Sequence, residues 1–356
     1  MGSTTVDSPS QLAVWTNAIF YVLSGCSQPL IMTLCKNAGL ADPFCQLPMF
    51  FYASGPFLLI VPLLRRGCFS SNHVWPSKTA TLQASGICLF DMVATLMNYT
   101  AASMAGPTIF SIVYSSVTVW TALFSKLFLQ RSMTKWQWCG VSLVFFGLIL
   151  TATGSLELGN EIIHGTTLVL VGSTLHALTY IMCEGIMTKA KEKLTVLENN
   201  AIQSSVATVV MLAWQVVYTI PNWEEKIRQP MQASRTTPNE ALGILLLFGL
   251  SNLIHSYTFY CTLRYVAGGS TSAGVMKALQ AVLVFVASHL AFCHGVVGSE
   301  MCFTRGKFLA LVTVSGGVIW YSVATTLNKQ YHNLEAAYQP IHNEAETKLA
   351  IKMPNR

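Results

Sequence analysis

One charged side chain, Lys277, sits inside the apolar stretch TSAGVMKALQAVLVFVASHLAF at residues 271 to 292, which is long enough to cross a bilayer. A cation at mid-bilayer costs about 2.5 to 3.5 kcal/mol on insertion scales, so such a residue faces a bundle interior or an aqueous cavity. Two chemistries fit: binding of a negative group, or a permanent ion pair with Asp91 or Glu184. By the helical period Ser270, Gly274 and Gln280 share the face of Lys277, which favours a cavity wall.

Comparable polar stripes recur elsewhere. Asp91, Thr95 and Asn98 repeat at helical spacing, as do Ser173, His176, Tyr180 and Glu184. Asn17, Tyr21, Ser24 and Gln28 form a third stripe; Ser111, Tyr114, Ser115, Thr118 and Ser125 a fourth; Asn252, His255 and Ser256 a fifth, with Phe259 on the same face. The residues expected to line a binding site are Lys277, Gln280, Tyr114, Asn98, Asp91, His255, Asn252, Gln28, Tyr180 and His176. His176 and His255 either carry protons, since histidine titrates near neutrality, or bridge helices as neutral rings. Glu184, near a helix end, is either a counter-charge or simply solvated, and the Ser/Thr stripe serves either solute contact or close helix packing.

The elements that must hold these residues are membrane helices. The 356 residues are 52% hydrophobic and 10% charged, far below the roughly 25% charge of soluble domains, and apolar runs of spanning length recur throughout. Bounded by charges, Gly, Pro and Asn, ten segments are expected at 12–35, 44–64, 80–103, 106–125, 136–153, 164–187, 200–220, 240–263, 267–291 and 305–327. Fourteen Lys and Arg fall in the loops after even-numbered segments and in the tail, and six on the other side, which predicts both termini in the cytosol. Segments one, three, four, six, eight and nine should wall the cavity. Segments two, five, seven and ten, polar mainly at their ends, should face lipid. The first segment is expected to act as a retained signal anchor after a polar stretch at 1–11.

Internal similarity refines this all-α picture. SIVYSSVTVWTALFSKLFL from Ser111 lies without a gap on GVMKALQAVLVFVASHLAF from Gly274, setting Tyr114 opposite Lys277 and Ser125 opposite Ser288. Two five-helix repeats, 12–153 and 164–327, are therefore expected, inverted because five is odd, with a flexible cytosolic tail at 328–356.

Other function classes have little support. No hydrolase elbow, P-loop, dinucleotide fingerprint or H-E-x-x-H occurs, so neither enzyme nor cofactor is expected. No metal is expected either, because the ten cysteines form no C-x-x-C pair. Basic residues sit between apolar runs, which argues against nucleic acid. The sequon at Asn98 lies inside a segment, beyond reach of glycosylation. Cys293 and Cys302 fall in one short non-cytosolic loop, either as a disulfide or as two free thiols. Tyr338 to Ile341, YQPI, is similar to a tyrosine-based sorting signal that a clathrin adaptor would read. The partners expected are thus a small-molecule solute, the lipid bilayer, that adaptor and a second copy of the chain. The membrane is expected to be Golgi or endoplasmic reticulum, or the plasma membrane.

Over segments four and five, VWTALFSKLFLQRSMTKWQWCGVSLVFFGLIL from Val119 resembles the drug/metabolite transporter superfamily, in its EamA-like, nucleotide-sugar transporter-like and solute carrier 35-like branch. The resemblance rests on Ala122 to Ser125, Leu129, Arg131, Gln137, Trp138, Gly140 and Gly147, and on VMKALQAV from Val275, where the family often places a cavity lysine. It implies ten helices in two inverted repeats, alternating access and exchange of a small polar solute such as a nucleotide-sugar or related organic anion. Ala278 follows Lys277, so the paired lysine-arginine site of phosphate-sugar exchangers is missing. The competing expectations are proton-coupled movement of neutral or cationic metabolites or drugs, and a non-transporting scaffold or trafficking receptor that works through its tail.

Overall fold

A computed structural model describes residues 10–69, 75–130, 133–156, 159–266, 269–293 and 304–351. Among these residues the chain is helical with no strand, as a bilayer demands of a non-barrel, because each backbone N–H must find its carbonyl within its own segment. The helices are α1 Gln11–Asn37, α2 Leu47–Ser54, α3 Ile60–Phe69, α4 Lys78–Tyr114, α5 Val117–Phe128, α6 Lys135–Leu156, α7 Asn160–Thr188, α8 Val196–Trp214, α9 Gln229–Ala233, α10 Pro238–Tyr265, α11 Ser270–Phe292 and α12 Arg305–Ile351. A 3-10 turn, Gly55–Leu59, joins α2 to α3.

Eight helical stretches among the described residues are long and apolar enough to cross a membrane. Their surfaces are the reverse of a soluble protein's. Leu12, Ile19, Leu23, Val217 and Leu290 are exposed, while Ser173, Thr121, Asn199 and Lys277 are buried. The apolar belt faces lipid and the polar groups turn inward.

Local chemistry sets the ends of these helices. Thr195 and Glu198 form a reciprocal capping box at the start of α8, and Thr237 with Glu240 repeats it at α10, where Pro238 occupies the first turn. In α4 the backbone breaks at Gly106, whose φ of 77° lies in the left-handed region, and Pro107 follows it. The fourth apolar run begins at this break and is divided between the end of α4 and α5 by the turn at Ser115 and Ser116, with Tyr114 at the junction.

α4 packs most extensively on α7, and α6 on α12. The second pairing depends on small residues. A Cβ on Gly140 would come within 2.9 Å of the Gly317 carbonyl oxygen, and one on Gly317 within 2.9 Å of the Gly140 carbonyl oxygen. α12 runs on to Ile351, so Tyr338 to Ile341 lie on helix here rather than on an extended tail. Good helix formers such as Leu334, Glu335, Ala336 and Ala337 carry it through this stretch.

Candidate functional site

Between the helices lie two adjoining chambers. The larger, of about 140 Å³, is lined from α4, α7, α8, α10 and α11 by residues including Asp91, Tyr180, Gln203, Asn252 and His255. The smaller, of about 50 Å³, is lined by Asn98 and Gln280 among others. Gln28, Tyr52, Thr95, Tyr114, His176 and Lys277 face both, so they form the shared wall, or neck, where the two meet. All ten residues expected from sequence to line a site border one chamber or the other.

Lys277 is 5% exposed, and its ammonium lies 3.1 Å from Nε2 of His255. An ammonium only donates, so Nε2 accepts and the ring is neutral with its proton on Nδ1, which lies 3.2 Å from the Ser24 hydroxyl. Ser24 in turn donates to the Phe20 carbonyl at 2.6 Å. His255 also stacks on Tyr21 with ring centres 4.7 Å apart, and the ammonium stands 5.3 Å over the rings of both Tyr21 and Tyr114. Histidine and two aromatic faces thus replace water around the cation.

Neither carboxylate considered from sequence pairs with that cation. Among the described residues Lys277 has no carboxylate within ion-pair distance. Asp91 accepts from the Thr179 hydroxyl at 2.7 Å and lies 3.4 Å from Nε2 of His176, and its side chain remains 37% exposed. Glu184 is 4% exposed rather than solvated. It accepts from the backbone N–H of Ser270 at 3.0 Å and from the Ser270 hydroxyl at 2.6 Å. It therefore caps α11, where a negative charge meets the positive end of the helix dipole.

His176 gathers the neck into one network. Its Nδ1 receives the Tyr114 hydroxyl at 2.7 Å and the Asn98 amide at 3.2 Å, which leaves Nε2 as the protonated nitrogen facing Thr95, at 3.0 Å, and Asp91. Gln280 donates to the Tyr21 carbonyl at 3.0 Å, and its amide occupies the space a side chain at Gly25 would take. Asn252 donates to the Tyr52 carbonyl at 2.8 Å, and Tyr180 stands 3.4 Å from the Tyr114 hydroxyl. Gln28 is 3.5 Å from the Tyr52 hydroxyl.

The assignment of lipid-facing segments needs correction for two helices. α2 supplies Tyr52, and α8 supplies Asn200, Gln203 and Ser204, to the larger chamber. Gln203 accepts from the Tyr260 hydroxyl at 2.9 Å and donates to Asn199 at 2.9 Å, while Asn200 accepts from Ser256. Asn200, Gln203 and Ser204 form a helical stripe in the sequence, but its place at the start of the run reads equally as a polar helix end. Cys293 is disulfide-bonded, whereas Cys302, Arg131 and Gly268 lie outside the described residues.

The comparisons with known proteins agree with this architecture. Residues 18–153 match the EamA-like transporter family. Mouse (Mus musculus) "Solute carrier family 35 member F6" is 27% identical over 118 residues, 33% of this chain and 31% of that protein. The rat (Rattus norvegicus) and human (Homo sapiens) proteins of the same name are each 29% identical over 94 residues, 26% of this chain and 25% of theirs. The matched stretch thus spans a third or less of these relatives. A solved structure described only as "Crystal structure of protein" aligns over 88% of this chain and 98% of its own at a TM-score of 0.50, with 15% identity, which speaks to fold alone.

The fold is that of a multi-pass membrane protein, and residues 18–153 are similar to the EamA-like transporter family. The resemblance to the drug/metabolite transporter superfamily, in its solute carrier 35-like branch, is supported by the match at residues 18–153 and by the partial matches to solute carrier 35 relatives.

Proposed function

We propose that this protein is a secondary carrier of a small polar organic solute bearing a negative group, bound at mid-membrane where the two chambers meet. One observation carries the reading. Lys277 is a buried ammonium at the neck of a polar cavity, with a neutral histidine but no carboxylate beside it among the described residues. A solute anion would supply the missing charge, with Tyr114, Asn98 and Gln280 adjusting their hydrogen bonds around it. Asp91, which also lines the larger chamber, limits the net positive charge there.

In this reading the chain has ten spans as two inverted five-helix repeats, both ends are cytosolic, and rocking of the halves exposes the site alternately. Supporting it, Tyr114 and Lys277, which the internal alignment sets opposite one another, both face the neck. Exchange of one solute for another follows the family resemblance, and nucleotide-sugars or related organic anions are the first class to test. Flux of labelled nucleotide-sugar into proteoliposomes, with and without unlabelled solute inside, tests this. Stimulation by internal solute supports exchange, and indifference to it refutes exchange.

The Asp91–His176 contact favours a second reading, proton-coupled movement of neutral or cationic compounds. Uptake of a cationic drug driven by a pH gradient and lost in Asp91→Asn would support it over anion exchange.

A further inference from the structure

A third hollow shares part of its lining with the larger chamber. It is a groove of about 610 Å³ beside α4 and α8, lined by residues including Pro43, Phe44, Val210, Ala213 and Trp214. Trp214 donates its indole N–H to the Phe44 carbonyl at 2.8 Å. Met92, Leu96 and Met211 line this groove and also the larger central chamber. These three unbranched or singly branched side chains belong to the wall that the two spaces share, and two of them are methionines, whose thioethers repack at low cost.

The volumes give this continuity a meaning. The central chamber, about 140 Å³, accommodates a polar head group of a few heavy atoms, whereas the groove is several times larger and almost wholly apolar. We infer that the seam between α4 and α8 at Met92, Leu96 and Met211 opens as a lateral doorway, and that the transported solute is amphipathic. Its charged head sits at Lys277 while its alkyl or aryl tail passes between Met92, Leu96 and Met211 into the groove. This rests on the anion-binding role of Lys277 and adds the chemistry of the solute's other end. Tyr52, which packs in the same apolar cluster as Met92, Leu96 and Met211, adds an aromatic surface that suits such a tail.

The test uses the full chain in lipid nanodiscs and straight-chain carboxylates from propanoate to octanoate, with apparent affinity read from the melting midpoint against free ligand. In the unsubstituted protein, affinity rises by about fourfold per added methylene once the tail reaches the passage, the worth of moving one CH2 out of water. Val210→Trp and Ala213→Trp, each on the exposed groove wall and away from the central chambers, fill the groove. They keep the propanoate shift and lose the gain with chain length. Octanoate binding no tighter than propanoate, or both variants weakening every chain length equally, overturns the doorway. Lys277→Met separates the two ideas: loss of every member confirms the head-group site on which the doorway depends. Unchanged binding of every member, or no shift with any carboxylate, overturns the head-group site and the doorway with it.

Discussion

The Lys277 ammonium lies 3.1 Å from Nε2 of His255, so the cation's nearest partner is a neutral ring and not a carboxylate. An ion pair would have neutralised the site before any solute arrived. Histidine instead holds the lysine in position and leaves its charge uncompensated.

His255→Ala should therefore disturb both position and stability. It leaves the buried Lys277 and Ser24 without a shared partner and removes the stack on Tyr21, a loss of about 1–3 kcal/mol for the orphaned polar groups. A lowered melting midpoint with weakened solute binding is expected. His255→Gln, which restores an acceptor, should recover part of both.

Glu184 hydrogen-bonds the start of α11 and lines neither chamber. Glu184→Gln keeps an acceptor for Ser270 but removes the charge at the helix N-terminus, so the protein should lose about 0.3–1 kcal/mol. Thermal unfolding measures this. Solute affinity in the folded fraction should stay as in the unsubstituted chain.

The close crossing of α6 and α12 makes Gly140 intolerant of bulk. Gly140→Val must push against the backbone of Gly317 and Tyr321, with a penalty of about 1–3 kcal/mol or more. The yield of monodisperse protein after extraction should fall sharply for Gly140→Val. It should stay high for Gly86→Val, where no atom lies within 4 Å of the added carbon.

Outside the membrane, hydrogen bonding from the Ser77 side chain and then from the Ser77 backbone N–H, at 2.7 Å, holds the Glu192 carboxyl below the usual carboxylate range. A depressed folded-state value adds stability above the unfolded value, and that contribution fades as pH falls through the folded one. Because the group is fully exposed the effect is small. Glu192→Gln should lower stability slightly at neutral pH, with the difference vanishing at acid pH, so that the acid limb of a stability-versus-pH curve is slightly flatter.

Lys277, Asp91, Asn98, Tyr114, His176 and His255 could be picked out because a polar side chain inside an apolar run has no cheap place except an interior. Helical spacing then grouped them by face. The contribution of α8 was hidden, since Asn200 and Gln203 lie where an apolar run begins and polar residues there need no special explanation. Tyr52 was hidden for another reason, because an aromatic ring suits lipid, the interface and a cavity wall equally. The partner of Lys277 was not legible at all. Whether the lysine met Asp91, Glu184 or His255 depends on the rotation of α4, α7 and α10 about their axes, which hydropathy does not specify.

The central claim is that the Lys277 ammonium supplies the charge that holds the solute. Melting midpoints of the purified protein and of Lys277→Met, each screened against nucleotide-sugars, nucleotides, organic acids and amines, test it most directly. At least one anionic class should raise the midpoint of the unsubstituted protein and fail to raise that of the variant. An anionic class that stabilises both proteins equally, or stabilisation by amines alone, would contradict it.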